Sequence, residues 1–304
     1  MKRLKAIFFI VGLFIGITPA ALADDPHAQE VLKQARTALG GDERLQKVES
    51  LNITGQYRRM LGERQLGGDR EVSILLPNKY LVEDALNPGG LSTAMINTRV
   101  LNGDRAWSSS SGGGPGMIFR IGGPGGQQLS PEQMEAAFRK TYQAESTRYL
   151  LALVLSAPSS IPVEYTYVGE SDVDETPADV VDVIGPDKLW IRLFFDKKTH
   201  MPMLLSYRGP KPRIVTMTRP PEKGSKPEDM KKLRDEAEKK ISDDNAGKPE
   251  EVDFYIRLSD YKKVDGLMFP YKFTFLTENE VSEEFEISKY QVNPQFKADK
   301  FEKH

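Results

Sequence analysis

Residues 189–207 read LWIRLFFDKKTHMPMLLSY: two apolar runs on either side of a short charged turn. Asp196 and Thr199 belong to the residue types whose side chains bond the backbone of a tight turn, so FDKKTHMP reads as the bend of a hairpin. Two strands joined this closely must be antiparallel. The hairpin also decides how to read His200, one of only three histidines in the chain: it sits in a turn and is expected to be structural.

The same pattern extends in both directions. Downstream, Val252, Phe254, Ile256 and Leu258 alternate with polar neighbours, and further strands run over Leu267–Phe275 and Val281–Ile287. In MFPYKFTF, Phe269, Tyr271, Phe273 and Phe275 share one face while Pro270, Lys272 and Thr274 share the other, so one side of the sheet is aromatic and the other wet. Upstream, Leu51, Ile53 and Tyr57 alternate with Asn52, Thr54, Gln56 and Arg58. Arg70 to Leu86 breaks at Pro77-Asn78 as a hairpin, and Thr93 to Leu101 turns at Asn102-Gly103-Asp104 and returns through Trp107. Strands also fall at Val163–Gly169 and Asp179–Ile184. The sum is about ten antiparallel strands, and a sheet of that width twists and curls.

Few helices are available to cover its concave side. Ala28, Val31, Leu32, Ala35, Ala38 and Leu39 recur at helical spacing from Pro26, with Gly40-Gly41 as a stop, and Asp42 to Val48 reads as a further short turn. Ser130-Pro131-Glu132-Gln133 carries an N-cap serine, a proline at the first helical position and a capping-box glutamine. The helix it starts runs to about Leu155, and its end, YLLALVL from Tyr149, is apolar nearly all round and must be buried. The fold class is therefore α+β: a large curved antiparallel sheet with a few helices on its concave face.

Two segments interrupt this pattern. Residues 108–128, SSSSGGGPGMIFRIGGPGGQQ, hold eight of the chain's 25 glycines, a composition that buries too little to order itself. Such a segment reads by default as a linker; the island Met117-Ile118-Phe119 inside it gives the sharper alternative of a flap that tucks three apolar side chains into a cavity. Residues 209–250 are rich in lysine, glutamate and proline, with a helix expected over Pro227–Ile241 on a narrow stripe of Met230, Leu233, Ala237 and Ile241.

The N-terminus begins with Lys2, Arg3 and Lys5, continues through an apolar run from Ala6 to Ile17 and reaches Ala21-Leu22-Ala23. It reads as a secretory signal peptide over residues 1–23, cleaved after Ala23, leaving residues 24–304 as one domain. Export permits disulfides, yet the chain has no cysteine, so packing alone must hold it and thiolate metal sites are excluded. The formal net charge of −2 becomes more negative once the basic leader is removed, which argues against nucleic-acid binding.

Catalytic constellations are missing from the sequence. His27, His200 and His304 fall at no metal-ligand spacing, no G-x-S-x-G elbow is present, and GGPGG lacks the P-loop lysine. Asp196, Asp260, Asp265 and Glu283 are carboxylates without a pattern that selects an acid–base pair among 44 acidic residues. No catalytic residue, metal or cofactor is predicted.

Three stretches carry a resemblance. AQEVLKQARTALGGDERLQKVESLNITGQYR, LWIRLFFDKKTHMPMLLSYR, and RLSDYKKVDGLMFPYKFTF with KYQVNPQF are together similar to the periplasmic lipoprotein-carrier superfamily typified by LolA and LolB, and within it to outer-membrane lipoprotein-sorting-like members. The resemblance covers the chain apart from the leader and the two insertions, though no arginine matches the family's cargo-controlling one. It implies an unclosed β-barrel under helices, a cavity that receives acyl chains of lipoproteins or lipids, and transfer partners at the inner and outer membranes. The cavity candidates are Leu205, Phe254, Phe273, Phe275 and Phe285 on the sheet, covered by Leu150, Leu151 and Leu155 of the central helix; against this stands the plain alternative that they pack together as a core. Two other functions remain open in the sequence: a periplasmic regulatory sensor that binds a signalling protein, and an enzyme acting on envelope lipids or glycans.

Overall fold

A computed structural model describes residues 25–61, 64–87, 94–111, 130–211 and 250–303. Helix α1 spans Pro26–Leu39 and α2 Asp42–Gln46. The Asp25 carboxylate caps α1 by accepting from the N–H groups of His27 and Ala28, and Pro26 starts its first turn. Gly40 ends it at φ 125°, where a Cβ would lie 2.5 Å from the Gly266 carbonyl oxygen. That close approach and the positive φ both require glycine.

Five strands follow: β1 Ser50–Leu61, β2 Arg64–Leu75, β3 Lys79–Asn87, β4 Met95–Asn102 and β5 Arg105–Ser111. After them come α3, Pro131–Val154, and seven more strands: β6 Glu164–Val173, β7 Thr176–Ile184, β8 Trp190–Asp196, β9 Pro202–Pro210, β10 Glu251–Val264, β11 Leu267–Thr277 and β12 Glu280–Val292. All twelve form one antiparallel sheet in the order β5-β4-β3-β2-β1-β12-β11-β10-β9-β8-β7-β6. The two meanders meet where β1 pairs with β12. β5 and β6 are left as edges, so the sheet is an unclosed barrel, and α3 is the element that connects one edge to the other along the chain.

Among the described residues there are twelve strands rather than about ten, and pairing lengthens several of them into the segments expected to be irregular. Ser108–Ser111 pair with Arg99–Ile96, and Ser110 adds a hydroxyl bond to Asn97. An edge strand needs backbone partners on one side only, so a serine run suffices. Gly209 and Pro210 likewise pair with Val252 and Glu251. Residues 112–128 and 212–249 of the two insertions lie outside the described residues. So do the leader, Met117, Ile118, Phe119 and the helix expected over Pro227–Ile241.

The inner face of the sheet carries the core. α1 contributes Ala28, Val31, Leu32, Ala35 and Leu39, and α3 contributes its end from Tyr149 to Leu155. The capping box at Ser130 forms as the sequence predicts, with Ser130 Oγ accepting from Gln133 N–H and Gln133 Oε1 accepting from Ser130 N–H. Asp25 also accepts from the N–H of Tyr167, so the start of α1 is tied to the edge strand β6. The outer face is not uniformly wet: the C-terminal residues Phe296 and Phe301 pack on Leu81, Val100 and Trp107 of β3–β5, and Lys300 pairs with Glu71 at 2.8 Å.

Candidate binding interior

Antiparallel register brings most of the sequence-predicted cavity residues together. Leu205 is fully buried on β9, Phe273 on β11 and Phe285 on β12, where Phe273 and Phe285 are directly paired. Leu150, Leu151 and Leu155 close over them from α3, and Phe275 is half-buried against the same cluster. Tyr149 stands between the sheet's two halves, its ring 5.6 Å from that of Phe273 and 6.1 Å from that of Tyr80. Phe254 differs: it lies outside the central cluster, stacked at 5.1 Å on Tyr207, whose ring also meets the Arg148 guanidinium of α3 at 4.1 Å. These side chains belong to one packed core cluster or lie against it, Phe254 excepted.

The other half of the inner face carries charges that the sequence reading missed. Arg70 on β2 makes a two-pronged pair with Asp84 on β3, at 2.5 and 2.9 Å, and its guanidinium lies 3.5 Å over the ring of Tyr57. Arg59 bonds Glu283 at 2.6 and 2.8 Å, and Arg70 approaches the same carboxylate at 3.6 Å. Arg99 on β4 lies 3.5 Å from Asp84 and 3.4 Å from Glu145 of α3. Three arginines thus face three carboxylates in a balanced cluster beneath the helix.

Burial by itself would raise the carboxyl of Asp84, but the attraction and hydrogen bonds of Arg70, with Arg99 behind it, hold it below its usual value. Glu283 follows the same logic, with Arg59 and then Arg70 outweighing burial. A buried cluster of this kind is stabilising only while each charge keeps its partner. Period-two alternation could have found it: Arg70 shares its phase in β2 with Val72 and Ile74, and Asp84 shares its phase in β3 with Tyr80 and Val82.

His27 and His200 lie in neither region. Asp196 Oδ1 accepts from the N–H groups of Lys198 and Thr199, and Thr199 Oγ1 from that of Met201, which makes His200 the turn residue the sequence predicted. His27 stacks on Tyr167 at 3.7 Å, and His304 lies outside the described residues. Among the described residues no three His, Cys, Asp or Glu side chains are grouped to hold a metal ion. On the outer face a cleft of about 280 Å³ opens between Gly55, Asp69, Glu71 and Glu83. Its short polar lining is unlike the apolar walls of a lipid site.

No family model and no curated protein matches the chain. Among solved structures, it is similar to a LolA superfamily protein from Nitrosomonas europaea, at 10% identity over 91% of this chain and 97% of that one, with a TM-score of 0.47. It is also similar to a putative outer membrane lipoprotein-sorting protein domain from Vibrio parahaemolyticus, at 10% identity, coverage of 90% and 97%, and a TM-score of 0.44. A DUF1329 family protein from Desulfovibrio piger matches at 10% identity, with coverage of 90% and 97% and a TM-score of 0.44. Identities of a tenth carry no information about ligand or partner.

Proposed function

We propose that the protein is an exported, non-enzymatic carrier that holds the acyl chains of lipoproteins or lipids between the inner face of the sheet and α3, in transit towards the outer membrane. The observation that supports this reading is the apolar surface shared by β9, β11, β12 and the end of α3, which α3, with α1 in the same core, covers without a backbone hydrogen-bond ladder to the sheet. Each methylene removed from water contributes about 0.8 kcal/mol. A long chain therefore supplies on the order of 10 kcal/mol before ordering costs, with no charged residue needed for capture. The same non-directional packing lets α3 settle back when the chain leaves. The reading places the protein in the periplasm, its leader over residues 1–23 removed, with transfer partners at the two membranes.

The test is to purify the protein from the periplasm, denature it, extract it and identify bound acyl species by mass spectrometry beside a matched control protein. Stoichiometric acyl species support the carrier. A folded protein that carries none and takes up no fluorescent fatty acid contradicts it and favours a protein-binding regulator.

A further inference from the structure

The charged half of the interior holds one hydroxyl placed to meet a ligand. Tyr80 is fully buried on β3, and its Oη has no hydrogen-bond partner among the described residues. Arg99 stands on the neighbouring strand opposite Val82, one inward position along from Tyr80, and its Nη2 is also without a hydrogen bond although it lies near Asp84. A buried donor without an acceptor costs about 1–3 kcal/mol, so such atoms are uncommon unless something else meets them. Tyr57 Oη is equally short of a partner. It sits behind Arg70, whose side chain is 2% exposed, whereas Arg99 keeps 25% of its side chain exposed beside α3. The Tyr80–Arg99 pair adjoins the apolar region through Tyr149.

We propose that Tyr80 and Arg99 form a polar subsite for the head of an acylated ligand, one that donates hydrogen bonds to an uncharged acceptor, the carbonyl oxygen of an ester or amide. This rests on the carrier reading above and names the chemistry its ligand presents. The acceptor is uncharged because the cluster around the subsite is already balanced: Arg59, Arg70 and Arg99 against Asp84, Glu145 and Glu283. A carboxylate would add a buried charge with no counterpart. Burial raises the Tyr80 phenol well above its ordinary value, so it remains a donor at any physiological pH. The acyl chain then extends past Tyr149 towards Phe273, with the carbonyl at the charged end of the interior.

Displacement of a fluorescent apolar probe by 1-monooleoylglycerol and by its ether analogue isolates the carbonyl, since the two differ only in that group. The ester is expected to bind about tenfold more tightly than the ether, as befits one to two hydrogen bonds, and oleate more weakly than the ester. In Tyr80→Phe the ester–ether difference falls below about threefold while ether affinity is kept. Tyr57→Phe, which removes another partnerless hydroxyl, leaves the difference intact. Circular dichroism confirms that both variants are folded. Equal binding of ester and ether, or a difference that Tyr80→Phe does not change, overturns the subsite and assigns the hydroxyl to water. Failure of the protein to bind either lipid overturns the carrier reading itself.

Discussion

Strands β8 to β11 offer α3 inward side chains such as Leu193, Leu205 and Phe273, whereas β2 to β4 offer Arg70, Asp84 and Arg99 at comparable inward positions. The two regions are parts of one continuous sheet under one helix, yet they restrict that helix differently. Apolar contact is non-directional, so the end of α3 from Tyr149 can shift over Leu205 and Phe273 and still be buried. Charges at fixed distances tolerate only one arrangement, and Glu145 is bound into it through Arg99 at 3.4 Å. On the proposed carrier reading, the adaptable region would suit chains of varied length and the charged region would fix where the head of a ligand stops.

The largest effect expected from this contrast is at Arg70. Arg70→Ala leaves Asp84 buried without its principal partner and should cost about 3–5 kcal/mol in chemical denaturation. Arg70→Met combined with Asp84→Leu should recover most of that loss. Leu205→Ala in the apolar region should cost about 3 kcal/mol, and no second substitution of charge should restore it. Equal rescue in both regions would erase the distinction between them.

Of these two regions, acid should act on the charged one. Asp84 and Glu283 titrate below their unfolded values of about 4. Their contribution is therefore fully present above about pH 5 and is lost as pH falls through the folded values. Thermal melts from pH 6 to pH 3 should show this loss in the native chain and much less of it in the Arg70→Met/Asp84→Leu variant. A smaller effect is expected at the start of α3, away from both regions: Ser130→Ala removes the cap and should cost about 1 kcal/mol without changing lipid affinity.

Strands, turns and helix starts were readable because each leaves a local mark: alternation in β10 and β11, the Asp196 turn, the box at Ser130. The apolar site candidates were readable for the same reason, since Phe273 and Phe285 keep the phase of their strands. Arg70, Asp84 and Arg99 were harder to find because an inward charge looks like an ordinary surface charge until its partner on the neighbouring strand is known. Only the register that pairs Arg70 with Asp84 and Arg59 with Glu283 turns them into a cluster. The wrap of Phe296 and Phe301 over the outer face was likewise invisible, for it joins sequence positions about two hundred residues apart, as the bond from Asn102 to the Phe301 carbonyl shows.

The most direct test of acyl binding in the interior is photolabelling with a monoacylglycerol that carries a diazirine along its chain, followed by peptide mapping. The labels are expected in β9, β11, β12 and the end of α3, on peptides that contain Leu205, Phe273, Phe285 and Leu150 to Leu155. Labels confined to the outer face, around Phe194 and Leu204, or none above a control protein, would contradict an acyl chain held between the sheet and α3.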